Sequence, residues 1–505
     1  MKRTIFTVII SLFIAIGSFA QSGTCGAEGD GSNLEWNLDV NGVLTISGSG
    51  VMKDYFPFTD VPWYDHINSF NCLVIEEGIT HIGSCAFGYC TGFTGSLTIP
   101  NSVETMGNYA FMGCSGFTGS LTIGNSVTTI WTSVFQDCTG FTGSLTIGNS
   151  LATIGISAFA GCSGLTSIEV DADNQNFSSE DGILYDKAQT QLIQCPCGKT
   201  GDLLPFPATV ITIGGNAFNG CSGLTGSLTM PNSVKTIGGY AFKDCRGFTG
   251  SLTIGDSVET IEQCAFQDCT GFTGSLDIPN SVKTIKSYAF HGCIGFTGSL
   301  TISNSVATIG NSAFNGCSGL TGNLTIPNSV GTIEGFAFNN CSSFTGSLTI
   351  PNSVGTIGDC AFQNCSGITS IISEAVEPPI ATIYTFTGVN KSIPVYIPDN
   401  TLRDYQIAEG WKDFTNFIDM GEEVGIKDNT QEIAGVYPNT DGTFTIDVTG
   451  SETFNVTVVN IQGQVVKREM IRGGSHIINI NSQPAGVYMF VVDNGKQKTV
   501  VKVKN

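Results

Sequence analysis

The sequence predicts a solenoid of short parallel strands followed by a small all-β sandwich. Three observations carry that expectation. The phrase "GFTGSLTIPNSVETMGNYAFMGCS" (residues 92–115) recurs almost unchanged from Gly116 and again from Gly140. Cysteines then mark the same beat, 24 residues apart from Cys90 to Cys162 and again from Cys221 to Cys365. Residues 436–505 abandon the phrase for alternating polar and apolar letters between turn signals, the pattern of a small sandwich.

The chain opens as a secretory signal. Lys2 and Arg3 precede the apolar run "TIFTVIISLFIAIGSF", and "SFA" supplies the small residues that predict cleavage after Ala20. The run is shorter than the ~20 residues that span a bilayer, and no later stretch is long and apolar enough, so no membrane span is expected. A net charge of -21 opposes binding to nucleic acid or to an anionic membrane surface. Only 12% of residues are charged, so Thr, Ser, Asn and Gly must make up much of the surface.

Within each repeat, Leu and Ile stand 17 and 15 residues before the cysteine, as in Leu97/Ile99 and Leu252/Ile254. The residue between them is usually Thr. Apolar, polar, apolar is the signature of a strand with one buried face. A Pro-Asn or Gly-Asn turn follows, then a second extended segment carrying Val103 and Met106 or Val258 and Ile261. "AF" and the cysteine close the unit with a tight apolar turn. No unit can bury its own apolar face, but stacked units can, with about 4.8 Å between coils. A period of 24 lies in the range of leucine-rich repeats, and about eleven to thirteen such coils are expected.

A residue found once per coil forms a column. The eleven column cysteines are therefore expected to be buried packing residues rather than disulfides. Phe93, Phe117, Phe141, Phe248, Phe272, Phe296 and Phe344, three residues after the column, are replaced elsewhere by Leu165, Leu224, Leu320 and Ile368; that points to a buried spine. The sequence leaves open local pairing of Cys85, Cys264 and Cys360 with column members, of Cys25 with Cys72, and of Cys195 with Cys197. One interval breaks the rhythm between Cys162 and Cys221. It holds an inserted island at about 168–203 with a hairpin in "GILYDKAQTQLIQ", after which Leu204 and Phe206 are expected to resume the strand.

The repeat "LTIPNSVxTIGxxAFxxC" resembles the BspA-like leucine-rich repeats of bacterial surface proteins. The island "SIEVDADNQNFSSEDGILYDKAQTQLIQCPCGK" is similar to a recurring island of that family. "GTCGAEGDGSNLEWNLDVNGVLTISGSGVMKDY" resembles its opening segment, and "IPVYIPDNTLRDYQIAEGWKDFTNF" its closing cap. The repeat here is one residue longer than the family's more frequent 23. "YPNTDGTF", "GVY" and a Lys-rich last strand resemble the C-terminal sorting domain of the type IX secretion system of Bacteroidetes, with "YPNT" in place of the usual "YPNP". The expected organisation is a signal peptide over 1–20, an N-terminal cap over 21–72 and a leucine-rich-repeat solenoid over 73–372. A C-terminal cap at 373–421, a linker at 422–435 and the sorting sandwich at 436–505 complete it.

Little in the chain suggests catalysis. His66, His81, His291 and His476 lie in different units, none in an HExxH setting, and His81 and His291 are expected on solvated surface. "CPC" (Cys195, Cys197) lacks the two further ligands a zinc site needs. Asp171, Asp173, Asn174, Asn176 and Asp181 suggest calcium, but Asn176 stands where an EF-hand requires Gly. No enzyme activity, metal or cofactor is expected. The resemblance implies a secreted, surface-displayed adhesin that binds extracellular proteins of host matrix or other cells and is handled by the type IX machinery. The alternative is carbohydrate or surface-polymer binding through outward Ser/Thr ladders. The candidate surface is that island cluster together with Ser96, Thr98, Thr122, Thr146, Thr253, Thr301, Thr325 and Thr349.

Overall fold

The computed structural model describes residues 19–203, 205–420, 434–439, 443–461, 464–484, 486–495 and 498–504. The expected signal segment up to residue 18 and most of the expected linker, 421–433, lie outside the described residues. The chain divides into two compact units, one built from the chain up to Ile393 with Ile407–Thr415, the other from Pro394–Gln406 and the chain from Asn416.

The first unit begins with an antiparallel sheet of Phe19–Thr24, Leu34–Asp39 and Val43–Gly48; the last of these pairs in parallel with Cys72–Ile75. The cap thereby offers the first coil a strand already in parallel register. Each coil then contributes two short strands. Leu–Thr strands pair with their neighbours Leu to Leu and Thr to Thr, as Leu97↔Leu121 and Thr98↔Thr122. Thr–Ile strands form longer ladders. One is a five-stranded sheet from Gly50–Val51 to Thr153–Ile154; the other has ten strands and ends at Thr356–Ile357.

The apolar columns occupy the interior as the repeat requires. Leu97, Ile99, Val103, Met106, Phe111 and Cys114 are all buried, and so are most of their equivalents along the array, with Ile154 half-buried. The Phe of each "AF" stacks face to face on the next, with ring centroids 4.7–5.7 Å apart from Phe87 to Phe159 and from Phe218 to Phe386. Tryptophan closes the spine at both ends. Trp63 stacks on Phe87 at 5.3 Å and donates its indole N–H to Ala86 O; Trp411 packs on Phe386 at 5.0 Å and donates to Pro379 O. A buried Trp needs such an acceptor for its N–H, so both caps are specified by hydrogen bonding as well as by size.

All eighteen cysteines are free thiols. The column thiols are more than space-filling. Cys114 Sγ donates to Phe87 O, and the same bond, 2.9–3.1 Å long, recurs in every regular coil to Cys365 and Phe338 O. Each thiol satisfies a carbonyl of the preceding coil at the tight turn. Burial pushes the thiols up; Cys317 stands at about 12.

Two residues per turn are left-handed, five and one before the cysteine: Tyr109 (φ 60°) and Gly113 (φ 72°), then Ser133 (φ 55°) and Asp137 (φ 60°). At the second of these positions every coil after Tyr89 carries Gly, Asp or Asn, the residues that adopt this region at least cost. The glycine two after the column has a different reason. A Cβ on Gly140 would sit 1.8 Å from Phe117 O. Coils approach too closely there for any side chain.

The island is a meander. Phe177–Glu180, Ile183–Asp186 and Gln191–Gln194 pair antiparallel, and the last pairs in parallel with Thr212–Ile213 in the register Gln191↔Thr212, Leu192↔Ile213. The expected hairpin is present, and its second strand stands in for the missing Thr–Ile strand of that coil. "SIEV" belongs to the solenoid, since Leu165–Val170 pairs with Gly143–Ile147. The expected resumption at Leu204 and Phe206 is corrected: the strand is Gly201–Asp202, paired with Leu224–Thr225, while Leu204 lies outside the described residues and Phe206 packs edge-on against Phe218.

In the second unit, Ala434–Pro438, Thr443–Asn460, Val465–Asn479, Val487–Asp493 and Lys498–Lys504 form an all-antiparallel sandwich. Its core holds Phe444, Ile446, Phe454, Val456, Val458, Ile478, Phe490 and Val492. Its first strand starts at Ala434, inside the stretch expected to be linker.

Candidate binding surfaces

The Thr column is where the repeat places it. Thr98, Thr122, Thr146, Thr253, Thr301 and Thr325 are exposed, and Thr349 is half-buried. Strand pairing aligns Thr98 with Thr122 and Thr325 with Thr349, so the hydroxyls repeat at the coil spacing. Ser96 is also exposed, but it is engaged: its Oγ accepts from Ser120 N at 3.1 Å and meets Ser120 Oγ at 3.3 Å. The turn asparagines behave likewise, Asn101 Oδ1 accepting from Asn125 N at 2.9 Å. Part of the outward polar lattice therefore ties coil to coil.

The island residues do not converge. Asp171 turns back on its own backbone, Oδ1 accepting from Asp173 N at 2.8 Å. Asp181 pairs with Lys199 at 2.9 Å. Asp173 and Asn176 are exposed. Asn174 departs from the expected surface, for it is fully buried. Its Nδ2 donates to Gly148 O and Leu151 O at 2.8 and 3.0 Å, and its Oδ1 accepts from Asn176 N and Phe177 N, both at 2.8 Å. The two donated bonds fasten the island to the preceding coil, and the two accepted ones fix the island's own turn. Among the described residues, no group of three or more His, Cys, Asp or Glu could hold a metal ion.

The repeat pattern gave no warning of a cleft at the N-terminal cap. A cavity of about 810 Å³ lies between the cap and the first coils, lined by Asp54, Tyr55, Asp60, His81 and Thr105 among others. A second, of about 510 Å³, shares Lys53, Asp54, Tyr55 and Asp60 and continues to Ser84, Asn108 and Tyr109. His81 bridges the site: Nδ1 is 2.6 Å from Thr105 Oγ1 and Nε2 3.4 Å from Asp54 Oδ1. It is half-buried, which corrects the expectation of a solvated ring. Burial pushes the Asp54 carboxyl up, but hydrogen bonds from Ser84 and His81 outweigh this and hold it below its usual value.

Tyr55 lines both cavities, and Phe56 and Tyr109 line the second. Phe58 meets Tyr89 edge-on at 5.0 Å and Tyr109 at 6.4 Å, while Phe56 is 82% exposed. Tyr109 occupies the left-handed position five before the cysteine, where Tyr240, Tyr288 and Phe336 also stand. That column, variable within an otherwise uniform phrase, was the sequence signal that could have found this edge.

Residues 63–181, 202–321 and 320–406 match the BspA type leucine rich repeat region, and residues 435–504 match the secretion system C-terminal sorting domain. The chain belongs to the BspA-type leucine-rich-repeat family. No curated protein matches it. Among solved structures it is similar to a leucine-rich repeat protein from Eubacterium ventriosum, at 24% identity over 69% of this chain and 96% of that one, TM-score 0.48. A leucine rich cell surface protein from Faecalibacterium prausnitzii shows 22% identity over 59% and 94%, TM-score 0.45. The pneumococcal vaccine antigen PcpA shows 17% over 79% and 99%, TM-score 0.45. The sorting domain implies type IX handling and a secreted, surface-attached protein. No helix among the described residues is long and apolar enough to cross a membrane.

Proposed function

We propose that this chain is a surface-displayed adhesin that binds extracellular proteins of host matrix or other cells and has no enzymatic activity. One observation carries the reading. A secretion sorting domain shares the chain with a repeat array whose exposed column, from Thr98 to Thr325, repeats a threonine hydroxyl in most coils, with carboxylates at Glu169 and Asp277 in the same column. Such a column suits many weak contacts that add along a partner. The mature chain from Gln21 is expected to retain matrix proteins or whole cells in a pull-down. Folded protein that binds nothing across a broad panel would sink the reading.

Carbohydrate binding is the second reading, and the cap cleft favours it. Aromatic residues Tyr55, Phe56 and Tyr109 line the cleft with Asp54, Asp60 and Asn108, so apolar faces stand beside hydrogen-bonding groups. A glycan array separates the two: saturable glycan binding abolished by Tyr109→Ala supports the cleft, and binding unaffected by that change removes it.

A further inference from the structure

Three cysteines meet where the island rejoins the solenoid. Cys195 takes the place of the spine phenylalanine in that coil. Its N–H donates to Ala217 O at 2.7 Å, as Phe218 N donates to Ala241 O at 2.7 Å one coil on, and its carbonyl lies nearest the Cys221 thiol. The substitution leaves a weak joint. Phe218 has no stacked phenylalanine on its island side, only the edge of Phe206. The Cys221 thiol reaches Cys195 O at 3.7 Å and Pro196 O at 3.9 Å, well beyond the 2.9–3.1 Å of the regular coils. Both repeating contacts fail at one joint.

The same joint gathers spare thiols. Cys195, Cys197 and Cys221 are all buried there, and the Cys221 thiol lies against the carbonyls of Cys195 and Pro196, the two residues before Cys197. Cys197 Sγ also donates to Asn219 O at 3.1 Å, which sets it against the turn that carries Cys221. We propose that Cys197 and Cys221 close a disulfide that fastens the island to the following coil in the exported protein. Adjacent coils stand about 4.8 Å apart, within the Cα separations a disulfide spans. The regular column thiols each hold a carbonyl at 2.9–3.1 Å, whereas the Cys221 thiol comes no nearer to one than 3.7 Å.

The chemistry is thiol–disulfide exchange with an external disulfide, such as oxidised glutathione. The Cys197 thiolate attacks one of its sulfurs and expels one thiolate, leaving a mixed disulfide. The Cys221 sulfur, losing its proton, then attacks the Cys197 sulfur and expels the second. Two electrons and two protons leave with the two small thiols. Both cysteines are buried in the finished fold, so the exchange belongs to the stage before the island closes.

Peptide mapping tests this on the mature full chain refolded with oxidised and reduced glutathione, then alkylated and digested with trypsin without reduction. Cleavage at Lys187, Lys199 and Lys235 puts Cys195 and Cys197 in one peptide and Cys221 alone in the next. The expected result is a cross-linked pair of peptides, lighter by two hydrogens than their sum and lost on reduction. Cys195→Ser should keep the link and Cys197→Ser should lose it. Three alkylated thiols, a Cys195–Cys197 link within the first peptide, or a link that survives Cys197→Ser would each overturn the proposal. If Cys197→Ser does not fold, fragmentation of the linked peptide in the unaltered chain still says which cysteine is joined.

Discussion

The run of coils from Cys245 to Cys365 and the coil that carries the island solve the same stacking problem differently. In the regular run every contact is a translation of the last: phenylalanine on phenylalanine, thiol to carbonyl, Thr–Ile beside Thr–Ile. The island coil keeps only the last, through Gln191 and Leu192, and replaces the others with the fixings of Asn174 and three close cysteines. Stability in such arrays is a sum of coil and interface terms. The regular run therefore draws strength from repetition, whereas the island joint depends on a few particular residues.

The largest expected difference is in alkali. A buried thiol whose folded-state value is raised contributes stability that is complete below its unfolded value, near 9, and is lost as pH rises toward the folded one, since the unfolded chain then gives up protons that the folded chain keeps. Each such thiol forfeits about 1.4 kcal/mol per pH unit in that window. Cys269, Cys293 and Cys317 are all raised, whereas Cys197 is lowered. The solenoid should unfold steeply above pH 9 by circular dichroism. Replacing those three column thiols with alanine should move the midpoint upward, and an unmoved midpoint would mean the column does not carry the effect.

Truncation of the spine comes next. Phe290 is stacked on both sides, at 5.2 and 5.4 Å, so Phe290→Ala should lose about 3–5 kcal/mol in urea unfolding. Phe218→Ala should lose less, because one of its neighbours meets it only edge-on. Equal losses would erase the distinction between joint and run. Asn174→Ala should lose about 1–3 kcal/mol through four unmade buried hydrogen bonds, with faster amide exchange at Phe177 while the coils beyond Cys245 stay protected.

Much of this was legible because a repeat states each position many times. The inward columns and the exposed Thr column followed from period alone, and the island's hairpin from the residues that interrupt it. Asn174 was misjudged because an asparagine among acidic residues looks the same in sequence whether its amide faces water or two carbonyls. The thiol–carbonyl bond was invisible because the 27-residue step from Phe87 to Cys114 differs from the repeat period. The cap cleft was missed for a related reason: Asp54, His81 and Tyr109 come from the cap and two successive coils, and only the stacked fold brings them together.

The smallest expected change in stability carries the most functional weight. Tyr109 is 36% exposed, and its backbone sits at φ 60°, so its side chain adds little to the core and its left-handed turn is held by neighbouring coils. Tyr109→Ala should shift stability by less than about 0.5 kcal/mol, the usual range for a surface change. Thr253→Ala, on the Thr column of the regular run, should be as mild. Comparing the two on one ligand separates the surfaces. If recognition sits at the irregular end of the array, Tyr109→Ala weakens binding and Thr253→Ala does not. If it is spread along the column, neither single change is felt, and only several Thr substitutions in adjacent coils lower the affinity. Loss of binding with Thr253→Ala alone would refute both, since a column of equivalent weak contacts cannot depend on one of them.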